Sequence, residues 1–403
     1  MISVEDALAR ITKAFTPLPS EWVALANARG RVLTEDLVAP RDQPHQDISA
    51  MDGYAVRSKD LADGQAVLTL IGEAPAGGRF EGTIGPGQTV RIFTGGPVPE
   101  GADAIAIQEN AKADGELITF TGEVSAGRFI RPAGLDVRKG TVTLRAGTIL
   151  RARDLGLAAG LNRVWLPVRR RPRIALLATG DELVRPGDAL GPDRIVTTNS
   201  VTLGAMIESW GGEAVDLGII QDRAEAFACI LPELRGVDLI VTIGGASVGE
   251  RDLVRQALGE KGLAVDFWKI AMRPGKPLMF GHVGGIPLLG LPGNPVSSAV
   301  CSVLFVKAVI RSLQGLDPNP VEVPAALGSA LNANDERQDY LRATTAWWHD
   351  GRLIATPAAR QDSAMFAVFA GADCLIKRPP SAKKAEAGDM VSIIPLNLPG
   401  AGI

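Results

Sequence analysis

Histidine and cysteine are scarce in this chain, with three of each in 403 residues. His45, His282 and His349 lie far apart, which leaves little material for a zinc hydrolase or an imidazole-based nucleophilic triad. Cys229, Cys301 and Cys374 form no metal-ligand spacing and read as buried thiols. An excess of positive charge is also lacking. With 42 basic and 45 acidic residues interspersed and a formal charge of -3, the chain has no basic face of the kind nucleic acid requires. No apolar run reaches the roughly 18 residues needed to span a bilayer. The opening MISVEDALARITKAF places Glu5 and Asp6 early, so it reads as an amphipathic helix and not as a targeting peptide. A cytoplasmic protein without nucleic-acid or membrane partners is expected. Carboxylates, lysines and backbone amides must carry any chemistry.

What is present is a long chain of ordinary composition, 46% hydrophobic and 22% charged, and its length implies several domains. Residues 1–46 and 139–170 read as a discontinuous helical and extended linking domain, closed by the basic, Pro-punctuated RRRPR joint at 169–173. Between them, residues 47–138 carry short β-type runs (AVLTLIG, QTVRIF, AIAIQE, LITFTGEV) separated by Gly, Pro and Asp, the pattern of an inserted β module. Residues 171–316 alternate. Strands are predicted from Ile174, at 214–220 and at 238–243, with a strand or hairpin around Leu278. Helices are predicted at 201–210, 223–234 and 253–260 and from Pro295 onward. Such alternation predicts a doubly wound parallel sheet with helices on both faces. Residues 317–403 return to short alternating runs, YLRATTAWW, RLIATPA and MVSIIPL, which fit a small terminal β barrel or sandwich. The fold class expected is α/β plus β, multidomain.

The first strand, RIALLATGDEL at 173–183, stops at a Thr-Gly-Asp-Glu turn, which is how an open α/β sheet delivers polar groups to the carboxyl edge where ligands bind. VDLIVTIGGASVGERD at 237–252 repeats the pattern and opens onto Gly244, Gly245 and Gly249. Asp181, Glu182, Asp222 and Asp252 would share that edge. Taken singly, Asp222 and Asp252 suit helix caps; together, the four acids repel one another unless cations are present. GGASVGERD could cradle a phosphate at a helix start. WKIAMRPGKPLMF adds Lys269, Arg273 and Lys276, either as anion contacts or as decoration on a solvated hairpin. In GLPGNPVSSAV, Asn294 is a candidate N-cap, Pro295 the first helical residue, and Ser297 and Ser298 are expected to be exposed. Acids beside bases point to Mg²⁺ bridging carboxylates and a phosphorylated or pyrophosphate ligand. Outside this domain, Asp52-Gly53 reads as a type I′ hairpin turn, and RIFTGGPVPEGADAI, with Thr94 at a strand end, as a shaped binding loop.

SAMDGYAV, IFTGGPVPEGADAI, LATGDEL, GGASVGERD, MRPGKP and GLPGNPVS, in this order, closely resemble the molybdopterin molybdenumtransferase family, the MoeA-type proteins that include the C-terminal part of gephyrin. The resemblance implies insertion of molybdate into the dithiolene of adenylylated molybdopterin, with release of AMP, in a Mg²⁺-dependent homodimer. In such a dimer the α/β domain of one subunit faces the β module and barrel of the other, and the partners implied are the adenylyltransferase and recipient molybdoenzymes. It implies metal contacts from Asp181, Glu182 and Asp252. Catalytic roles would fall to Asp52, Asp136, Asp252, Lys269, Arg273 and Lys276. Ligand contacts would come from Thr94, Thr179, Gly180, Asp222, Gly244, Gly245, Ser247, Gly249, Pro292, Asn294, Ser297 and Ser363. The sequence departs from the family pattern at Leu135, where a glutamate precedes the acid matched by Asp136. It departs also at Arg273, where some members carry lysine, and at Ala367 and Val368, where some carry serine. The alternatives are molybdopterin adenylyltransferase, whose family carries Gly-Gly-Thr-Gly where this chain has Gly245-Ala246-Ser247-Val248, and a non-catalytic pterin-binding scaffold.

Overall fold

A computed structural model describes residues 1–75, 77–220, 234–244 and 264–396. The chain divides into two compact units, one of Met1–Trp22, Gly30–Val32 and Pro167–Ile403, the other of Val23–Arg29 and Leu33–Leu166.

The first unit is built on a six-stranded sheet. Its spatial order is Glu213–Ile220, Arg173–Thr179, Leu239–Ile243, Ile286–Leu291, Met279–Val283, Ala264–Trp268. The strand Arg173–Thr179 is continuously apolar because both its faces are covered: Ile174 and Leu176 enter one core, Ala175 and Leu177 the other. Each such Leu or Ile side chain contributes about 2 kcal/mol by leaving water. The first four strands are parallel. Met279–Val283, however, runs antiparallel to both its neighbours, so the sheet is mixed and not wholly parallel as expected. The cause is local: Gly284 and Gly285 have φ of 56° and 84°, and a two-residue connection with positive φ at both positions can only fold the chain back.

Helices cover the sheet. Asn199–Ser209 buries Leu203 and Ile207. Val4–Lys13 contributes Val4, Ala7 and Ile11, one helical stripe, to the same core, and Ser3 caps it by accepting the Asp6 N–H at 2.9 Å. Pro295–Leu313 spans 19 residues at a mean hydropathy of 1.7. By length and composition it could cross a membrane, although serines, Lys307 and Arg311 interrupt its apolar run, and 83% of its apolar window is buried inside the protein. This is a core helix, apolar on most of its faces because the sheet, the N-terminal helix and the terminal domain pack against it.

The C-terminal strands Val323–Leu327, Gln338–Trp347, Leu353–Pro357, Cys374–Arg378 and Met390–Pro395 close on one another as a five-stranded barrel, which leaves no free edge among them. Met272–Arg273, from the loop after Ala264–Trp268, adds to Gln338–Trp347 in parallel. The second unit holds a six-stranded β sheet ordered Ala104–Ile107, Gly53–Val56, Gln88–Ile92, Gln65–Ala74, Leu117–Thr121, Ala111–Asp114, together with the helix Ala152–Gly160 from the segment expected as a linking domain.

Candidate functional site

The carboxyl ends of the parallel strands carry several of the candidate residues. Arg173–Thr179 ends at Thr179, 5% exposed, and after Gly180 the turn carries Asp181 and Glu182 into solvent. No hydrogen bond or ion pair from the described residues engages either carboxylate. Among the described residues no group of three or more His, Cys, Asp or Glu could by itself hold a metal ion. Next to this turn, Leu239–Ile243 ends at Gly244, whose φ is 95° and where a Cβ would stand 2.6 Å from the Thr179 carbonyl oxygen and 3.0 Å from Thr179 Oγ1. Only glycine fits this approach. Thr179 Oγ1 and, one strand over, Thr242 Oγ1 are buried without a hydrogen-bond partner, polar groups left at the edge of an otherwise apolar sheet.

The third strand of the edge, Ile286–Leu291, runs into the buried Pro292 and then Gly293, whose carbonyl accepts from Asn199 Nδ2 at 2.8 Å. Asn294 stands at the N-cap and Pro295 at the helix start, as expected, since proline is preset for the first helical turn. The Asn294 amide does not cap, however. Its Nδ2 donates to Ser363 Oγ at 3.0 Å, and the Val296 N–H donates to the Ser363 carbonyl at 3.2 Å. Asn294 and Ser363 are thus brought together within one chain. Ser297 and Ser298, expected in solvent, are 5% and 0% exposed, because this helix starts inside the core. Asn294 is the exposed polar side chain here.

Ala264–Trp268 runs in the same sense as Ile286–Leu291, both being antiparallel to the strand between them. Lys269, Arg273 and Lys276 therefore follow the same edge. The Lys269 N–H donates to the Leu278 carbonyl at 3.0 Å and the Ile270 N–H to the Lys276 carbonyl at 3.1 Å, which folds the segment into a compact loop. Arg273 is not a loose surface charge. Its Nη2 lies 2.5 Å from Asp339 Oδ2 and its Nη1 3.5 Å from Asp335 Oδ2. Asp335 is held well below the usual carboxylate range, first by the side-chain hydrogen bonds of Arg337, then by the Arg337 N–H, with Arg273 adding to the effect.

In the second unit Asp52 and Thr94 meet directly: Asp52 Oδ1 accepts from the Thr94 N–H at 2.7 Å and from Thr94 Oγ1 at 2.8 Å. The Thr94 N–H first, then its hydroxyl, lower the Asp52 pKa, and Arg91 adds to this. The hairpin turn expected at Asp52-Gly53 is absent. Neither residue has positive φ, as a type I′ turn requires, and Gly53 opens the buried strand Gly53–Val56, where a Cβ would stand 2.1 Å from the Ala106 carbonyl oxygen. The Asp-Gly pair marks a close approach of two paired antiparallel strands, not a reversal. Asp136 is exposed, as is Leu135 at 59%. Asp222, Gly245, Ser247, Gly249 and Asp252 lie outside the described residues. Burial raises the thiol of Cys374 to about 12 and that of Cys301 further, so both remain neutral.

Asn199, Thr242, Asp335 and Asp339 went unremarked in the sequence. Thr242 is the one polar residue of the apolar run LIVTI, a usable signal. Asp339 pairs with a residue 66 positions away, and no local pattern carries that.

Residues 2–161 match the MoeA N-terminal region (domain I and II), residues 175–312 a probable molybdopterin binding domain, and residues 324–396 the MoeA C-terminal region (domain IV). The fold and these family models together define a multidomain enzyme of molybdenum cofactor biosynthesis with α/β plus β architecture. The molybdopterin molybdenumtransferase of Haemophilus influenzae is 34% identical over 402 residues, covering 98% of this chain and 99% of that one. That of Bacillus subtilis is 32% identical over 406 residues, covering 98% and 94%. The crystal structure of a molybdopterin biosynthesis MoeA protein from Pyrococcus horikoshii, 27% identical, superposes with a TM-score of 0.84 over 98% of this chain and 99% of that chain. The chain belongs to the molybdopterin molybdenumtransferase family, and its activity is that of a transferase in molybdenum cofactor biosynthesis.

Proposed function

We propose that this transferase inserts molybdate into the dithiolene of adenylylated molybdopterin, with cleavage of the pyrophosphate link and release of AMP, in a Mg²⁺-dependent reaction. The observation that carries the proposal is the composition of one sheet edge. Asp181 and Glu182 are exposed and unengaged by any described cation, and the Lys269–Lys276 loop follows the same edge. Mg²⁺ needs only one or two protein carboxylates when substrate phosphates and waters complete its octahedron, so Asp181 and Glu182, with Asp252 as sequence-assigned partner, fit it. When bound, the ion supplies the positive charge that lets carboxylates and phosphate share the edge, and it offsets charge on the departing phosphate.

The protein's own residues do the rest. Gly244 gives the ligand close approach to backbone, Thr179 and Asn294 supply donors and acceptors, and Lys269, Arg273 and Lys276 offset charge on the anions. Much of the rate would come from holding molybdate and dithiolene together. Both described cysteines are neutral and buried, in keeping with a ligand that brings its own sulfurs. Asp52, Thr94 and Asp136 complete the site from the β module of a second copy of the chain, so the working form is a homodimer. The test is AMP release from adenylylated molybdopterin with and without molybdate. Molybdate-dependent release is expected; AMP formation from ATP and molybdopterin instead would assign the chain to the adenylyltransferase step, and binding without turnover would make it a scaffold.

A further inference from the structure

Arg273 and its carboxylate partners form an arrangement that surface decoration does not explain. Met272–Arg273 is joined to the barrel as a short parallel strand, with Met272 opposite Gln338 and Arg273 opposite Asp339, and the Gln338 N–H donates to the Ala271 carbonyl at 2.9 Å. The two acids near the guanidinium are not equivalent. Asp335 is already committed: it accepts from Arg337 Nη2 at 2.5 Å, from Nε at 3.2 Å and from the Arg337 N–H at 3.0 Å, and is 3.5 Å from Arg273. Asp339 has Arg273 on Oδ2 at 2.5 Å, while its Oδ1 is buried without a hydrogen-bond partner. Its side chain is 4% exposed against 46% for Arg273.

A buried carboxylate with a single partner is a poor device for stability, since desolvation offsets most of the attraction and an apolar residue would serve the fold as well. It is a good device for fixing a guanidinium. The planar fork presents five donors in rigid directions, so Asp339 can hold Nη2 while Nη1 stands 3.5 Å from Asp335, at a polar cavity of about 310 Å³ that Arg273 and Asp339 line together with Asn332, Asn334, Gln361 and Arg378. We propose that Asp339 is a positioning residue: it holds Arg273 in the orientation in which the guanidinium meets the anionic substrate, so that the terminal barrel governs the basic loop of its own chain. The inference rests on the functional reading above.

The test is a double-variant cycle of the full-length enzyme, Asp339→Asn, Arg273→Gln and both together, read by two measurements. In molybdate-dependent AMP release, Asp339→Asn is expected to lower kcat about tenfold or more, since misorientation of a contact group falls on the rate. KM for molybdate should not rise, because a repelling charge has been removed. In the Arg273→Gln background the same change should alter kcat less than twofold. The second readout needs no activity: the Arg273 Nε–H signal of ¹⁵N-arginine-labelled protein, assigned by its loss in Arg273→Gln, should be resolved in the parent and lost or averaged in Asp339→Asn. An equal fall of kcat in both backgrounds, an unchanged kcat, or an unaltered Nε–H signal would overturn the proposal. Should Arg273→Gln fail to fold with Asp339 left unpaired, Arg273→Lys, which keeps a positive charge beside Asp339 without the planar fork, replaces it as the background. Absence of molybdate-dependent release in the parent sinks the functional reading, whereas the Nε–H signal still decides the pairing.

Discussion

Replacing Gly244 by alanine probes the sheet edge where the ligand is placed. The backbone there has φ of 95°, which strains an L residue by about 1–2 kcal/mol. The added Cβ would also stand 2.6 Å from the Thr179 carbonyl oxygen, a main-chain atom that cannot rotate away, so the neighbouring strand ends must separate at a cost of about 2 kcal/mol. The sum is about 3–4 kcal/mol. Gly284→Ala is the control, because its φ of 56° carries the strain while nothing lies within 4 Å of its Cβ, giving about 1 kcal/mol. For a unit of this size one kcal/mol shifts Tm by about 2–4 °C. Gly244→Ala should therefore melt about 6–16 °C below the parent by calorimetry, well beyond the control. Turnover should fall as well, since the shift moves Thr179 and the Asp181–Glu182 turn. If the two variants melt together, the close approach at Gly244 is not what keeps the position glycine, and the reasoning fails.

Two further outcomes are expected. Thr94→Val removes the hydroxyl and keeps the N–H, so the Asp52 carboxyl, followed by ¹³C NMR, should titrate higher than in the parent though still below an ordinary aspartate. Because the folded value is depressed, the Asp52–Thr94 contact stabilises above the ordinary aspartate range and is lost as pH falls through the lowered value; an unshifted midpoint would remove the hydroxyl from the account. Mixing inactive Asp52→Ala and Asp181→Ala chains under subunit exchange should restore part of the activity, up to about a quarter of the parent's from the mixed dimers' one intact site, if each site draws on two copies. No recovery counts against a shared site.

How far the sequence reaches depends on whether the cause of a feature is local. The strand 173–179 was legible because burial on both faces writes a continuous apolar run, and the helix start at Pro295 because proline's fixed φ is preset for the first turn. Asp52-Gly53 was misread for the same reason: Asp-Gly is a strong local turn signal, but the constraint on Gly53 is the Ala106 carbonyl of another strand. Ser298 follows the rule for helix starts, yet its helix begins inside the protein. The reversal at Gly284-Gly285 sits within a predicted hairpin, but its consequence, one antiparallel strand in the sheet, appears only when neighbours are assigned. Of the site, the acids, glycines and bases could be read one by one; the grip of Asp339 on Arg273 could not, being a contact across 66 positions of chain.

The central claim is that acidic side chains and an anionic ligand share this edge through magnesium. Titration calorimetry of adenylylated molybdopterin against the full-length protein, with Mg²⁺ and again with chelator, tests it most directly. The account predicts binding at least about tenfold tighter with the ion, a difference of about 1.4 kcal/mol, and loss of that difference in the protein carrying Asp181→Asn and Glu182→Gln. Equal affinity in both buffers, with turnover surviving chelation, would contradict it.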